Sequence, residues 1–474
     1  MTGWAGYTLS QDLDHKKYQV VVVSPRSYFV FTPLLASTST GTLEFRNALE
    51  PIRRRKSHAQ FFQGWADGID FTSKTLQVEE AVDDPRQAFA LTADPNQGKD
   101  SKERQQEKQV EERKGKIFEM DWDKICITVG CYSQTFNTPG VKENAYFLKD
   151  VGDARRIRNR LLACFETASL PTTSVEMKKA LLHFAVVGGG PTGIEWSAEL
   201  HDLISEDMAR IYPDLVQYTK ITVYDVADKV LSMFDEKLAE YATKTFQRER
   251  IEILTSHHVQ ELRRGSPEAM KKGEDVHDEH ACYTLKIKEQ GEVAVGMCVW
   301  STGLMMNPFV QKSLAESVKL PVDLSTIVEG SKEGHERWTI QKHPKNGGII
   351  TDDRLRTILV PEGSGDEPQA KAVMKDVFAL GDCAVMENAM YPATAQVANQ
   401  KAVWLAKRLN KQDLDKAGFS YKDLGVMAYI GNWNAILQSS GGNVSGRIAW
   451  FIWRGAYLAK SVSWRNRILI LTYW

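Results

Sequence analysis

The chain has no uninterrupted apolar run long enough to cross a bilayer as a helix. Cysteine is scarce, with six in 474 residues. That is too few for a disulfide scaffold, so a reducing compartment is the default. Neither sign of charge is in excess: 60 Lys and Arg stand against 61 Asp and Glu, a net charge of −1. This argues against nucleic acid as a partner of the surface as a whole. The amino end shows no secretory signal and no Arg-rich presequence. Acidic residues stop after Asp423. What remains is ordinary for a folded protein of two or three domains, with 42% hydrophobic and 26% charged residues.

The most informative stretch runs from Phe184 to Glu195. An apolar segment, Phe184-Ala185-Val186-Val187, reads as a buried strand. It leads into Gly188, Gly190 and Gly193 at the G-x-G-x-x-G spacing, followed by a helix that includes Pro191 and Thr192. The first glycine permits the tight turn. The second lets a pyrophosphate meet bare backbone, and the third lets helix and strand pack closely. The helix N-terminus offers free N–H groups and a positive dipole end to the phosphates. A second strand, Ile221 to Tyr224, ends on Asp225. An acid there suits the 2′-hydroxyl of an adenosine ribose and favours NADH over NADPH.

The amino end carries half of a second such unit. Gly3 and Gly6 have the spacing of the second and third fingerprint glycines, and Met1 stands where the first would be. A helical segment and an apolar strand, Tyr18 to Ser24, follow. This reads as a βαβ unit without its first strand, hence as an amino-terminally truncated chain that could have lost a targeting segment. Two glycines at this spacing by coincidence is the alternative.

At Ser24-Pro25-Arg26-Ser27-Tyr28-Phe29-Val30-Phe31-Thr32-Pro33-Leu34-Leu35 the sequence resembles a signature of the type II (alternative, non-proton-pumping) NADH:quinone oxidoreductases, especially fungal mitochondrial ones. The resemblance continues through Glu50-Pro51-Ile52-Arg53, resumes at Asp121 and runs to the end with few gaps. It implies FAD and NADH as cofactors and ubiquinone as acceptor. It also implies a homodimer and a peripheral place on the mitochondrial inner membrane. It carries flavin contacts onto Ser24, Arg26, Thr32, Pro33, Leu34, Gly130, Gly381, Asp382, Ala395 and Gln396. It places Thr302 and Gly303 in the turn that closes the nicotinamide domain. Glu195 is implied to lie near the flavin ring and to take part in proton delivery; on the residues alone it is a helix first-turn acid favoured by the dipole. Ala395-Gln396-Val397-Ala398-Asn399-Gln400-Lys401 is similar to the family's quinone-site motif, with Lys401 in place of its last glutamine. Gln396 and Gln400 could each donate to a quinone carbonyl without bringing charge.

Two polar stretches interrupt this pattern. Residues 94–116 are rich in Gln, Glu, Lys and Arg and read as a disordered or loosely helical insertion. Residues 330–348 receive the same reading. Cys126 and Cys131 have a C-x-x-x-x-C spacing. On one strand the spacing separates them by about 16 Å and places them on opposite faces, whereas a disulfide needs Cα atoms within about 7 Å. They read as structural cysteines, and no cysteine has metal-ligand spacing.

From Arg447 to Trp474 every charged residue is basic: Arg447, Arg454, Lys460, Arg465 and Arg467. Ile448, Phe451, Ile452, Gly455, Ala459 and Val462 form one apolar stripe at helical spacing, flanked by Trp450, Trp453, Tyr457 and Trp464. This predicts a helix lying on an anionic membrane surface through 447–474. A core helix or a dimer seam is the alternative.

The fold expected is α/β: two nested Rossmann-like dinucleotide-binding domains, as in two-domain FAD/NAD(P)-binding flavoproteins, with a C-terminal amphipathic membrane-surface region. Residues 1–170 and 345–410 would form the FAD-binding domain, 175–330 the NADH-binding domain and 411–474 the membrane-anchoring region. The function expected is electron transfer from NADH through FAD to a quinone. A flavoprotein reductase with another acceptor, and a remnant that does not bind FAD, are the other readings.

Overall fold

A computed structural model describes residues 3–54, 58–82, 89, 115–267, 282–314, 325–329, 337–365, 368, 370–461 and 463–473. Nearly all of the 94–116 insertion lies outside the described residues, as does 330–336.

The amino-terminal half starts with helix α1 (Trp4–Asp12), strand β1 (Val21–Ser24) and the short buried helix α2 (Leu35–Thr40). β1 pairs in parallel with β2 (Gln60–Asp70), which continues antiparallel into β3 (Thr75–Glu80) and β4 (Ile117–Asp121). The next strand, β5 (Ile125–Ile127), does not join that sheet. Helix α3 (Val151–Ser169) then crosses to the second half, starting at Asp150 in a capping box with Asp153.

The second half is built on β6 (His183–Val187), whose five residues are all buried. Helix α4 (Pro191–Asp202) follows it directly. β6 lies between two parallel partners, β7 (Lys220–Tyr224) and β9 (Met297–Trp300), with β8 (Ile251–Leu254) outside β7. A parallel sheet covered on both faces calls for such continuous apolar strands. A Cβ on Gly193 would stand 2.0 Å from the Gly188 carbonyl oxygen, so only glycine lets α4 pack this close.

The chain then returns to the first half. β10 (Trp338–Ile340) pairs with β11 (Arg356–Pro361), and β12 (Lys371–Ala379) pairs in parallel with β5. Trp338 is fully buried. The polar insertion expected over 330–348 therefore ends before Trp338, because Trp338 and Ile340 place alternate side chains into the core of this half.

The two halves differ at their centres. β7 and β9 are both laddered to β6, whereas among the described residues no strand runs between β1 and β5. The sheet of the first half is thus split in two. The consequence is visible in burial: Val21, Val22, Val23, Ile125 and Cys126 are only half-buried, while Ile221–Tyr224 and Met297–Trp300 are buried throughout.

Cys126 and Cys131 do not share one strand. The chain leaves β5 after Ile127, turns at Gly130 with φ +65°, and Cys131 opens a separate short strand. All six cysteines are free.

Helix α5 (Ala395–Lys411) packs against α1. The carboxyl end forms an antiparallel meander of β13 (Val426–Tyr429), β14 (Ala435–Ser439) and β15 (Gly442–Gly446), then helices α6 (Arg447–Lys460) and α7 (Trp464–Tyr473). α6 is two-faced. Ala449, Trp450 and Trp453 enter the core that holds β6 and α4, while Ile448, Phe451 and Ile452 face outward. Trp450 and Trp453 are therefore core residues, not flanks of the outer stripe. Of the expected flanking aromatics, Trp464 is exposed. Val462 lies outside the described residues. No helix among the described residues is long and apolar enough to cross a membrane.

Candidate active site

A cavity of about 350 Å³ opens where the two halves meet. The first half contributes Gly3, Arg26, Thr32, Gly130, Gly381, Asp382 and Ala395; the second contributes Thr192, Thr302 and Gly303. All ten are residues singled out from the sequence. Trp4, Tyr28, Lys149 and Trp300 also line it and were not anticipated. Gly6 instead packs on Thr128, and Leu34 is fully buried in the core. Ser24 is buried behind the wall, its hydroxyl accepting from the Arg26 N–H at 3.2 Å. Pro33 is half-buried and outside the lining.

The cavity's charges are held in fixed pairs. Arg26 Nε lies 2.7 Å from Asp150 Oδ2, and the Tyr28 hydroxyl donates to Asp150 Oδ1 at 3.1 Å. Burial raises the Asp150 carboxyl, with Arg26 opposing it. Lys149 donates to the Cys131 carbonyl oxygen. Burial lowers the Lys149 ammonium and raises the nearby Asp382 carboxyl, each charge tempering the other's shift. Burial also pushes the Cys131 thiol up to about 12, so it stays a thiol, donating to the Asp382 carbonyl oxygen at 3.0 Å.

These residues fit a flavin dinucleotide. Added Cβ atoms at Gly3 and Gly130 would meet nothing within 4 Å, so bare backbone borders open space there. Arg26 and Lys149 bring positive charge suited to a pyrophosphate, and Asp382 can accept from polyol hydroxyls.

The nucleotide end of the second half is equally ordered. Gly188 turns with φ +113°, and open space surrounds the Cβ position of Gly190 at the α4 N-terminus. Asp225 accepts from the Gly189 N–H through Oδ2 and from the Ala227 N–H at 2.8 Å through Oδ1. The carboxylate is thus fixed beside the glycine turn, with lone pairs left for a ribose hydroxyl.

Glu195 lies one turn beyond Thr192 on α4, outside the cavity lining. Its Oε1 accepts from the Tyr429 backbone N–H at 3.1 Å and from the Trp453 indole N–H at 3.3 Å. It keeps a narrow window to solvent, but burial dominates and pushes its carboxyl up to about 8. Both donors come from the carboxyl-terminal region, which no local motif around Glu195 announces.

Gln396 and Gln400 serve a different contact. Gln396 Oε1 accepts from the Tyr421 hydroxyl and, at 3.2 Å, from the Leu424 N–H, while its Nε2 donates to Gly425 at 3.3 Å. Gln400 makes a reciprocal pair with the Lys422 backbone at 2.8 and 3.0 Å. Together they strap Tyr421–Gly425 onto α5. Lys401 is buried, its ammonium lowered to about 8 by desolvation.

Comparison with known proteins gives a consistent result. Residues 2–329 match the family described as pyridine nucleotide-disulphide oxidoreductase, and residues 424–474 match the NDH2 C-terminal domain. A "Probable NADH dehydrogenase" of Dictyostelium discoideum is 34% identical over 100% of this chain and 87% of its own length. The "External alternative NAD(P)H-ubiquinone oxidoreductase B4, mitochondrial" of Arabidopsis thaliana is 32% identical over 100% of this chain and 86% of its own. Among solved structures, NDH2 of Plasmodium falciparum in complex with NADH has a similar fold. Its TM-score is 0.75 at 22% identity, covering 100% of this chain and 96% of that one.

Proposed function

The chain belongs to the type II, alternative NAD(P)H–ubiquinone oxidoreductase family, and we propose that it carries two electrons from NADH through FAD to ubiquinone without pumping protons. One observation supports this reading most. The glycine turns and Asp382 of the first half face Thr192, Thr302 and Gly303 of the second across a single cavity. Two dinucleotides held by the two halves would meet there. FAD, when bound, supplies the two-electron chemistry between nicotinamide and quinone.

The chain's own residues bind, orient and manage charge. Asp225 selects the adenosine ribose of NADH, and the α4 N-terminus takes the pyrophosphate. Arg26, fixed by Asp150, and Lys149 offset phosphate charge on the flavin side. Ser24, Pro33 and Leu34 shape the wall behind that side. Gln396 and Gln400, by strapping Tyr421–Gly425 to α5, shape the quinone approach.

The outward face of α6 and α7 exposes Ile448, Phe451, Ile452, Trp464, Ile468 and Leu471 among basic residues. That face docks on an anionic bilayer, placing the protein peripherally on the mitochondrial inner membrane. A homodimer is proposed on the family resemblance alone. The test is an anaerobic titration of the purified chain. NADH should bleach a yellow protein, and ubiquinone should restore the colour. A protein that is colourless, or bleached but not recoloured by quinone, would contradict the proposal.

A further inference from the structure

Resting on that reading, hydride transfer from NADH to FAD moves both electrons and one hydrogen. A C–H bond of the nicotinamide breaks, a bond to that hydrogen forms on the flavin, and NADH becomes NAD⁺. The flavin thereby gains one negative charge. It keeps that charge until both electrons and the hydrogen pass to the quinone, with a proton from solvent.

Helix α5 carries a cation toward the place where this charge appears. Lys401 is only 2% exposed. Its ammonium makes no hydrogen bond and no ion pair among the described residues. A side chain on a helix leans back toward the N-terminus, and the neighbours of Lys401 agree with that direction. Its Nζ stands 5.9 Å from the centre of the Tyr391 ring, and the Cys383 thiol acts on its charge. Both neighbours precede α5 in the chain and adjoin the cavity wall: Cys383 follows Asp382, and Tyr391 comes two residues before Ala393. Ala395, in the first turn of α5, and Ala398, one turn before Lys401, line the cavity themselves.

This is an unfavourable place for a lone cation. Buried charges are ordinarily paired. Desolvation lowers the ammonium to about 8, so it still carries its charge at neutral pH. The N-terminal end of a helix is itself positive, and the first turn of α5 carries no acid. Asp382, the acid of the adjoining wall, has Lys149 as its charge partner. A thiol and a ring face at the edge of cation–π range offset little of the cost. An anion in the cavity would offset it. The oxidised flavin ring is neutral and the reduced one is charged, so a fixed cation behind the wall favours the reduced form.

We propose that Lys401 is the buried counter-charge of the reduced flavin, favouring hydride acceptance from NADH and setting the flavin's potential from behind the cavity wall. A lysine kept only for its aliphatic stem would be replaced by methionine with no effect on the flavin.

The test uses the full chain loaded with FAD and needs neither NADH nor quinone. The flavin's midpoint potential is measured in an anaerobic titration with mediator dyes. Lys401→Met should lower the ratio of reduced to oxidised flavin at a fixed potential about tenfold, a shift of about 30 mV to more negative values for two electrons. Lys401→Arg, which keeps the charge, should stay within about threefold of the parent. Sulfite gives a second readout: it bonds to the flavin ring and leaves a negative charge there, so its Kd should rise about tenfold in Lys401→Met. Without FAD, Lys401→Met should melt no lower than the parent at neutral pH, because it removes an unpaired buried charge. Potential and sulfite affinity unchanged in Lys401→Met, an equal loss in Lys401→Arg, or a flavin-free melt lowered by methionine would overturn the role. A parent that shows the expected Lys401 effects but passes no electrons from NADH to ubiquinone would instead overturn the function on which the role rests, and a parent that takes up no FAD would overturn both.

Discussion

The indole of Trp453, in the penultimate helix, donates a hydrogen bond to Glu195 at 3.3 Å across 258 residues of chain. It does so from the inner face of α6, whose outer face carries Ile448, Phe451 and Ile452. The outward face proposed to meet the membrane and the indole that holds Glu195 are therefore on opposite sides of one helix.

Glu195→Gln should stabilise the fold at neutral and alkaline pH. Burial raises the carboxyl from 4.5 to about 8. Between those values the unfolded chain has lost a proton that the folded chain keeps, so the parent loses stability as pH rises. Glutamine removes that loss. Thermal melts should rise by about 2–4 °C above pH 8, with no difference near pH 4.5, while quinone turnover falls about tenfold. A melting difference that is largest at acid pH would contradict the assigned shift.

Asp225→Gln should erode the preference for NADH. The change removes a carboxylate that holds the Gly189 N–H and that is proposed to meet the ribose. We expect kcat/KM with NADH to fall about tenfold, at about 1.4 kcal/mol, and the NADPH value to change less. Equal use of both nucleotides by the parent would show that Asp225 does not select.

The outward face of α6 can be tested without cutting the helix away. Deleting 447–474 would also remove Trp450 and Trp453 from the core. Phe451→Ser with Ile448→Ser alters only exposed positions. The pair should release the protein from anionic liposomes while the melting temperature moves by less than about 2 °C. Each side chain that no longer enters the interface should cost about 1.5–3 kcal/mol of binding. Sedimentation with liposomes as in the parent would refute the assignment.

The sequence made much of this legible wherever a residue type and a spacing acted locally. Gly188, Gly190 and Gly193 form one local turn after a buried parallel strand, and Asp225, just past the end of the neighbouring strand, meets it through the Gly189 N–H. Gly381 and Asp382 lie at the end of a strand and reach the cavity. What stayed hidden depends on long-range contact. Lys149 is an ordinary lysine until Asp382 meets it from 233 positions away. Trp453 reads as an interfacial aromatic until the meander before it turns its face inward. Trp338 lies in a polar stretch, and one tryptophan gives no periodicity to read.

The most direct measurement of the central claim is the yield of quinol per NADH in an anaerobic suspension of the chain on anionic liposomes containing ubiquinone. The account predicts one quinol per NADH oxidised, uptake of one proton from the outer medium and no movement of protons into or out of the vesicle lumen. NADH oxidation without quinol, or protons crossing into or out of the lumen with turnover, would contradict it.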